Sequence, residues 1–295
     1  MSEAPLTLGD RLRYFGIFVL CVVGFAISQF AAGFIATRLI DPKAQTLALD
    51  AIFRPLGLGI MLLIFGGMAK LFDRSQGNLL DSQGLGFGRR WQRELLLGIL
   101  LGAGSIVIAV AAIVILGQYH AEVIGGPRLL LRLAVIFWIG VTAAAMEEVA
   151  FRGYPFQNLI RAIGPWAASI GLALLFGAIH LNNPHSSAIG FVNTALVSLL
   201  LALAYIRTQY LWLPIGFHLA WNLTLGTAFG LPVSGVDLFA VAVKAKAEGP
   251  VLLTGGDYGI EASLTGTIVI LLGIIALYLL TPTKKLPSDE PSVPV

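Results

Sequence analysis

Charge is what this chain has least of. Asp, Glu, Lys and Arg make up 12% of its 295 residues, about half the share found in a soluble domain. With 57% of residues hydrophobic and a mean hydropathy of +0.86, a water-soluble globular fold is excluded and a polytopic membrane protein is expected. Cysteine is almost missing. Cys21 alone rules out an internal disulfide and any cysteine-based metal cluster, and its place in the first apolar run fits a small apolar side chain. A basic stripe is missing too. The net charge of +3 and pI near 9.1 come from Lys and Arg that flank apolar runs, so no nucleic-acid partner is expected. No internal repeat and no second soluble domain can be read. A cleaved signal peptide is not expected either. The run from Tyr14 to Ala36 exceeds a typical h-region of about 7–15 residues and has the roughly 20 that a spanning helix needs.

What is present is a series of apolar segments. Eight of them, near 14–37, 52–72, 94–117, 130–151, 166–181, 187–206, 211–228 and 263–281, predict an all-α fold: a polytopic bundle of about eight transmembrane helices around a central polar site. Residues 1–13 read as a cytoplasmic N-terminal segment, 14–281 as the transmembrane domain, and 282–295, with four prolines, as a disordered cytoplasmic tail. The fourth helix is expected to run past Arg152 to Ile163, where Gly164-Pro165 stops it. Phe229 to Ala262 is expected to be an interfacial or re-entrant segment over the outer mouth of the bundle. Placing both termini inside puts 12 of the 19 Lys and Arg on the cytoplasmic side, the arrangement that the positive-inside rule favours. Membrane lipids are then the surrounding partner.

Polar side chains stand out against this background. The run from Leu129 to Ala145 is apolar apart from Arg132 and Thr142, and it leads into Met146-Glu147-Glu148-Val149-Ala150-Phe151-Arg152. An acidic side chain inside a bilayer costs several kcal/mol (~2.5–3.5 for Asp on insertion scales), so it is kept where it faces a polar interior. On a helix Glu147 and Glu148 point about 100° apart and cannot share one role. Arg152, four residues after Glu148, predicts an ion pair with it. Glu147 is then free to act as a general base. His180 ends the fifth apolar segment, and His218 and Asn222 share one face of the seventh. A base, two imidazoles and a carboxamide are the parts that water-driven amide hydrolysis requires. Asn182, Asn183 and His185 read as a polar turn outside the site. Trp91, Trp138, Trp212 and Trp221 read as interface anchors or packing.

These residues resemble a known family. Glu147-Glu148-x3-Arg152, Phe176-x3-His180 and His218-x3-Asn222 are similar, in order, to the three motifs of the CPBP intramembrane proteases, which include CAAX prenyl endopeptidases and bacteriocin-processing or immunity proteins. The likeness covers about residues 130–228. It implies an intramembrane endopeptidase in which Glu147 activates water and His180, His218 and Asn222 position it or stabilise the oxyanion. Glu148 and Arg152 would support the site. Substrates would be membrane-associated, leader or prenylated peptides. The resemblance leaves a divalent metal open: Glu147, His180 and His218 could hold Zn2+ with one open position, although no His-Glu-x2-His helix is present. A bacterial cytoplasmic membrane is the expected location.

Two other classes compete. A membrane scaffold or immunity factor could keep the fold and bind a partner without cutting it. A proton-coupled transporter would also bury Glu and His, yet such proteins often repeat their halves. Here all the polar groups fall between residues 147 and 222 with no counterpart in the first 130.

Overall fold

The computed structural model describes residues 6–41, 46–74, 77–116 and 119–281. The expected C-terminal tail lies outside the described residues. The first helix, α1 (Leu8–Leu39), starts earlier than the apolar run because Thr7 caps it. The Asp10 amide donates to Thr7 Oγ1 at 3.2 Å and the Thr7 amide donates to Asp10 Oδ2 at 3.0 Å, a reciprocal pair that satisfies two otherwise orphaned donors. Half of the expected N-terminal segment is therefore helix.

The other helices are α2 (Thr46–Phe72), α3 (Trp91–Ile115), α4 (Leu129–Arg152), α5 (Tyr154–Ile163), α6 (Pro165–His180), α7 (Ala188–Thr208) and α8 (Trp212–Leu223). They are followed by α9, a single turn (Val251–Thr254), and α10 (Leu264–Leu280). All eight expected segments are helical. Five stretches have the length and apolarity to cross a membrane: α1, α2, α3, α4 continued through α5, and α7. The α6 and α10 helices are shorter, at 16 and 17 residues. The α8 helix has 12 residues and runs into a π-helical turn, Thr224–Ala228. Phe30, Leu130, Trp166 and Leu279 are each at least 70% exposed, as side chains are when their solvent is lipid.

The fourth helix does not continue smoothly past Arg152. It stops at Gly153, whose ψ of −145° takes the backbone out of the helix, and α5 begins one residue later. The buried Gln83 side chain, on the short 3-10 turn Asp81–Gln83, receives the Tyr154 amide at 3.2 Å and so caps the new helix. Gly164 then turns the chain into α6 with φ +87°, a left-handed conformation that favours glycine.

Close packing holds α8 against α3. A Cβ on Gly98 would stand 2.2 Å from the Leu213 carbonyl oxygen, one on Gly102 2.3 Å from that of Phe217, and one on Gly216 2.4 Å from that of Leu95. Gly98-x3-Gly102 is thus a small-residue seam of the kind that lets membrane helices approach without a hydrophobic driving force. Ile106, Ile113, Ile139, Leu200 and Phe217 form one apolar core. Met61, Phe65, Val149, Phe156 and Leu159 form a second, and the polar site lies where α4, α6, α7 and α8 meet.

The sequence reading contains no strand, but two five-residue strands are present. β1 (Tyr119–Val123) pairs antiparallel with β2 (Val243–Ala247), Tyr119 opposite Ala247. Pairing satisfies backbone groups that lie outside any helix, and it ties the connection before α4 to the segment 229–262.

Candidate active site

Glu148 sits at the bottom of the site and is fully buried. Its Oε1 accepts from Arg152 Nη1 at 3.3 Å, one helical turn away, and from His218 Nδ1 at 2.8 Å across the α4–α8 contact. The ion pair expected from the i,i+4 spacing is therefore formed. Arg152, 1% exposed, also donates through Nη2 to the Ser198 carbonyl at 3.1 Å and to Ser198 Oγ at 2.5 Å. Its guanidinium lies 5.1 Å from the centre of the Phe176 ring. An isolated buried guanidinium would be prohibitive, and these neighbours offset its desolvation.

Glu147 points the other way, as the 100° rotation requires, and lines a cavity of about 410 Å³. His180, His218 and Asn222 line the same cavity. The four residues singled out in the sequence come from three helices, and the fold brings them together. His218 stands between the two carboxylates, with Nδ1 on Glu148 and Nε2 3.7 Å from Glu147 Oε2. A carboxylate can only accept, so His218 carries a proton on Nδ1. His180 Nδ1 lies 2.7 Å from the Phe176 carbonyl one turn back. That carbonyl likewise needs a donor, so the neutral ring leaves Nε2 unprotonated.

The sequence allows a zinc ion on Glu147, His180 and His218. Among the described residues no group of three His, Cys, Asp or Glu converges as metal ligands do. Glu147, His180 and His218 share the cavity but are not gathered as ligands of one zinc ion in this arrangement.

The structure adds residues that the sequence reading set aside. Asn183, read as part of an outer turn, lines the cavity and donates to the Ser234 carbonyl at 3.0 Å. Glu261, from the loop before α10, reaches the cavity wall. It accepts from Trp221 Nε1 at 2.9 Å, from Ser234 Oγ at 2.8 Å and from the Ser234 amide. Trp221 is thus more than an anchor. So is Trp138, whose indole donates to the Ala51 carbonyl at 3.0 Å. Beside Glu261, burial and then that carboxylate's charge hold the Tyr258 phenol above its ordinary pKa. Arg54, on α2, also lines the cavity. It lies two residues inside the expected second span, where the rule that flagged Glu147 applies equally.

Compared with known proteins, residues 127–224 match the family described as Type II CAAX prenyl endopeptidase Rce1-like. The segment is similar to that family. The match takes in α4 to α8 and every residue of the Glu147–His180–His218–Asn222 set, and it agrees with the CPBP resemblance of the three motifs. It covers about a third of the chain. No curated protein and no solved structure matches. With five stretches long and apolar enough to cross a membrane, the chain is an integral membrane protein, and the matched segment is similar to a protease family.

Proposed function

We propose that this protein is a glutamate-dependent intramembrane endopeptidase that hydrolyses a peptide bond of a membrane-associated, leader or prenylated peptide. The observation that carries the reading is that Glu147, His180, His218 and Asn222 share one cavity, with His218 between two carboxylates. Glu147 takes a proton from a cavity water as the water oxygen bonds to the scissile carbonyl carbon. His180 Nε2, unprotonated, accepts the water's other hydrogen bond and holds it in place. Asn222 contributes an N–H donor that needs no change of protonation, which suits it to the developing oxyanion. His218 adds a second donor when its Nε2 is protonated, its ring held and its positive charge balanced by Glu148, as a carboxylate does for a catalytic imidazole. The C–N bond then breaks and Glu147 returns its proton to the leaving amine.

In this reading the protein sits in a bacterial cytoplasmic membrane with both termini inside, which the distribution of Lys and Arg supports. The test compares new protein termini in membranes of cells expressing wild type or Glu147→Gln at matched levels. Termini that appear only with wild type are expected and would name the substrates. An identical set from both, with a partner captured by either protein, would replace the protease with a binding role.

A further inference from the structure

Arg54 is a charge inside an apolar helix, and no step of the hydrolysis uses it. It follows the same cavity wall as Glu147, His180, His218 and Asn222. Two contacts fix its level. Pro55 has no N–H to give the Ala51 carbonyl four residues back, and Trp138 Nε1 of α4 supplies that donor at 3.0 Å. One and a half turns further along, a Cβ on Gly57 would stand 3.2 Å from Met146 Sδ. The helices α2 and α4 therefore run side by side in the same direction, with Arg54 between the two pins. Its Cα stands three residues, about 4.5 Å of helix rise, from the level of Met146 and hence of Glu147.

The guanidinium is incompletely matched there. Asp50 Oδ1, one turn back on the same helix, lies 3.3 Å from Nε, and the two side chains are 24% (Arg54) and 29% (Asp50) exposed. The contact lacks hydrogen-bond geometry, and the buried Nε has no hydrogen-bond partner. Among the described residues Asp50 is the one acid within ion-pair distance. The other carboxylates on the cavity wall are otherwise engaged, Glu147 facing His218 and Glu261 held by Trp221 and Ser234. A cation kept at such cost in a cavity favours an anion, and a guanidinium fork suits a carboxylate.

We infer that Arg54 is a specificity-determining residue that takes a carboxylate of the peptide substrate, either its free C-terminus or an Asp or Glu side chain, beside the bond to be cut. The inference rests on the endopeptidase reading of the cavity. An extended peptide advances ~3.3–3.6 Å per residue. The offset of about a turn between Arg54 and Glu147 then places the carboxylate within a few residues of the cleaved bond.

The test uses the full chain in phosphatidylethanolamine–phosphatidylglycerol vesicles and a library of prenylcysteine-anchored peptides of randomised sequence. Each peptide is made with a free and with an amidated C-terminus, and cleavage is read by mass spectrometry. Wild type should favour one carboxylate-bearing class by at least about tenfold in kcat/KM, and Arg54→Gln should bring that ratio near one. Arg54→Lys, which keeps the charge without the fork, should fall between them and guards against a misfolded Gln variant. A preference that follows amidation assigns the C-terminus. One that follows Asp and Glu against Asn and Gln assigns the side chain. An unchanged ratio in Arg54→Gln, or no carboxylate preference in wild type, overturns the inference. Binding of the same peptides to Glu147→Gln with and without Arg54→Gln separates the two failures. Carboxylate-selective binding that needs Arg54, without cleavage by wild type, would overturn the protease and keep the anion site. Binding indifferent to Arg54 would overturn the site.

Discussion

At the scale of single residues the two adjacent glutamates divide the work by orientation. Glu148 turns inward to Arg152 and His218, and Glu147 faces the cavity. Glu147→Gln keeps volume and hydrogen bonding but removes the base, so cleavage should vanish while the purified protein keeps its melting temperature and elution volume. Turnover near wild type would show the base to be elsewhere. Glu148→Gln should behave differently. It leaves Arg152, 1% exposed, without its counter-charge, and breaking a buried pair costs about 3–5 kcal/mol. Both melting temperature and activity should fall, and an unchanged melting temperature would mean that Ser198 and the Phe176 ring alone hold the guanidinium. The sequence made this pair legible because one helical turn separates its members. It gave no sign of the Glu148–His218 contact, which joins residues 70 positions apart.

At the scale of elements, the site depends on how closely α8 can approach α3 and how α2 is seated on α4. Gly102→Ala would drive a methyl to 2.3 Å from a backbone oxygen, whereas a Cβ on Gly104, two positions along the same helix, meets nothing within 4 Å. Thermal unfolding should therefore show Gly102→Ala strongly destabilised and Gly104→Ala unchanged or slightly stabilised, alanine being the better helix former by about 1 kcal/mol. Equal effects would remove the seam from the explanation. The α2–α4 pin gives a sharper test. Trp138→Phe should leave the Ala51 carbonyl unsatisfied at a cost of about 1–3 kcal/mol, and Pro55→Ala in that background should recover stability by restoring a backbone donor. A double-mutant cycle without coupling would refute the pairing. Pro55 and Trp138 are both visible in the sequence, but which indole answers which proline is a matter of packing.

At the scale of the molecule, the segment 229–262 joins the cavity to the connection before α4. It pairs as β2 with β1 and lines the cavity through Val233, Ser234 and Phe239. Glu261 bridges Ser234 and Trp221, beside Asn222. Glu261→Ala should loosen this covering, so limited proteolysis of vesicle-embedded protein should cut within 229–262 several-fold faster than in wild type. Unchanged protection would mean that the strand pair alone holds it. The sequence identifies an unusual segment here by its length and its prolines and glycines. It does not show that Glu261 returns to the site, since a carboxylate in a loop stands out against no apolar background.

The sequence by itself determined the membrane environment, the eight helical segments and four of the polar residues of the cavity, Glu147, His180, His218 and Asn222, because each of these is a local contrast: apolar runs long enough for a bilayer, and polar side chains too costly to keep there without a use. Only the tertiary structure decided what faces what. The break at Gly153 depends on Gln83, the pairing of His218 with Glu148 on the α3–α8 seam, and the place of Arg54 on Trp138. Contacts between distant residues leave no periodic signal in a single chain, since any of several apolar helices could have packed there, and the close approach of particular glycines and indoles selects one arrangement.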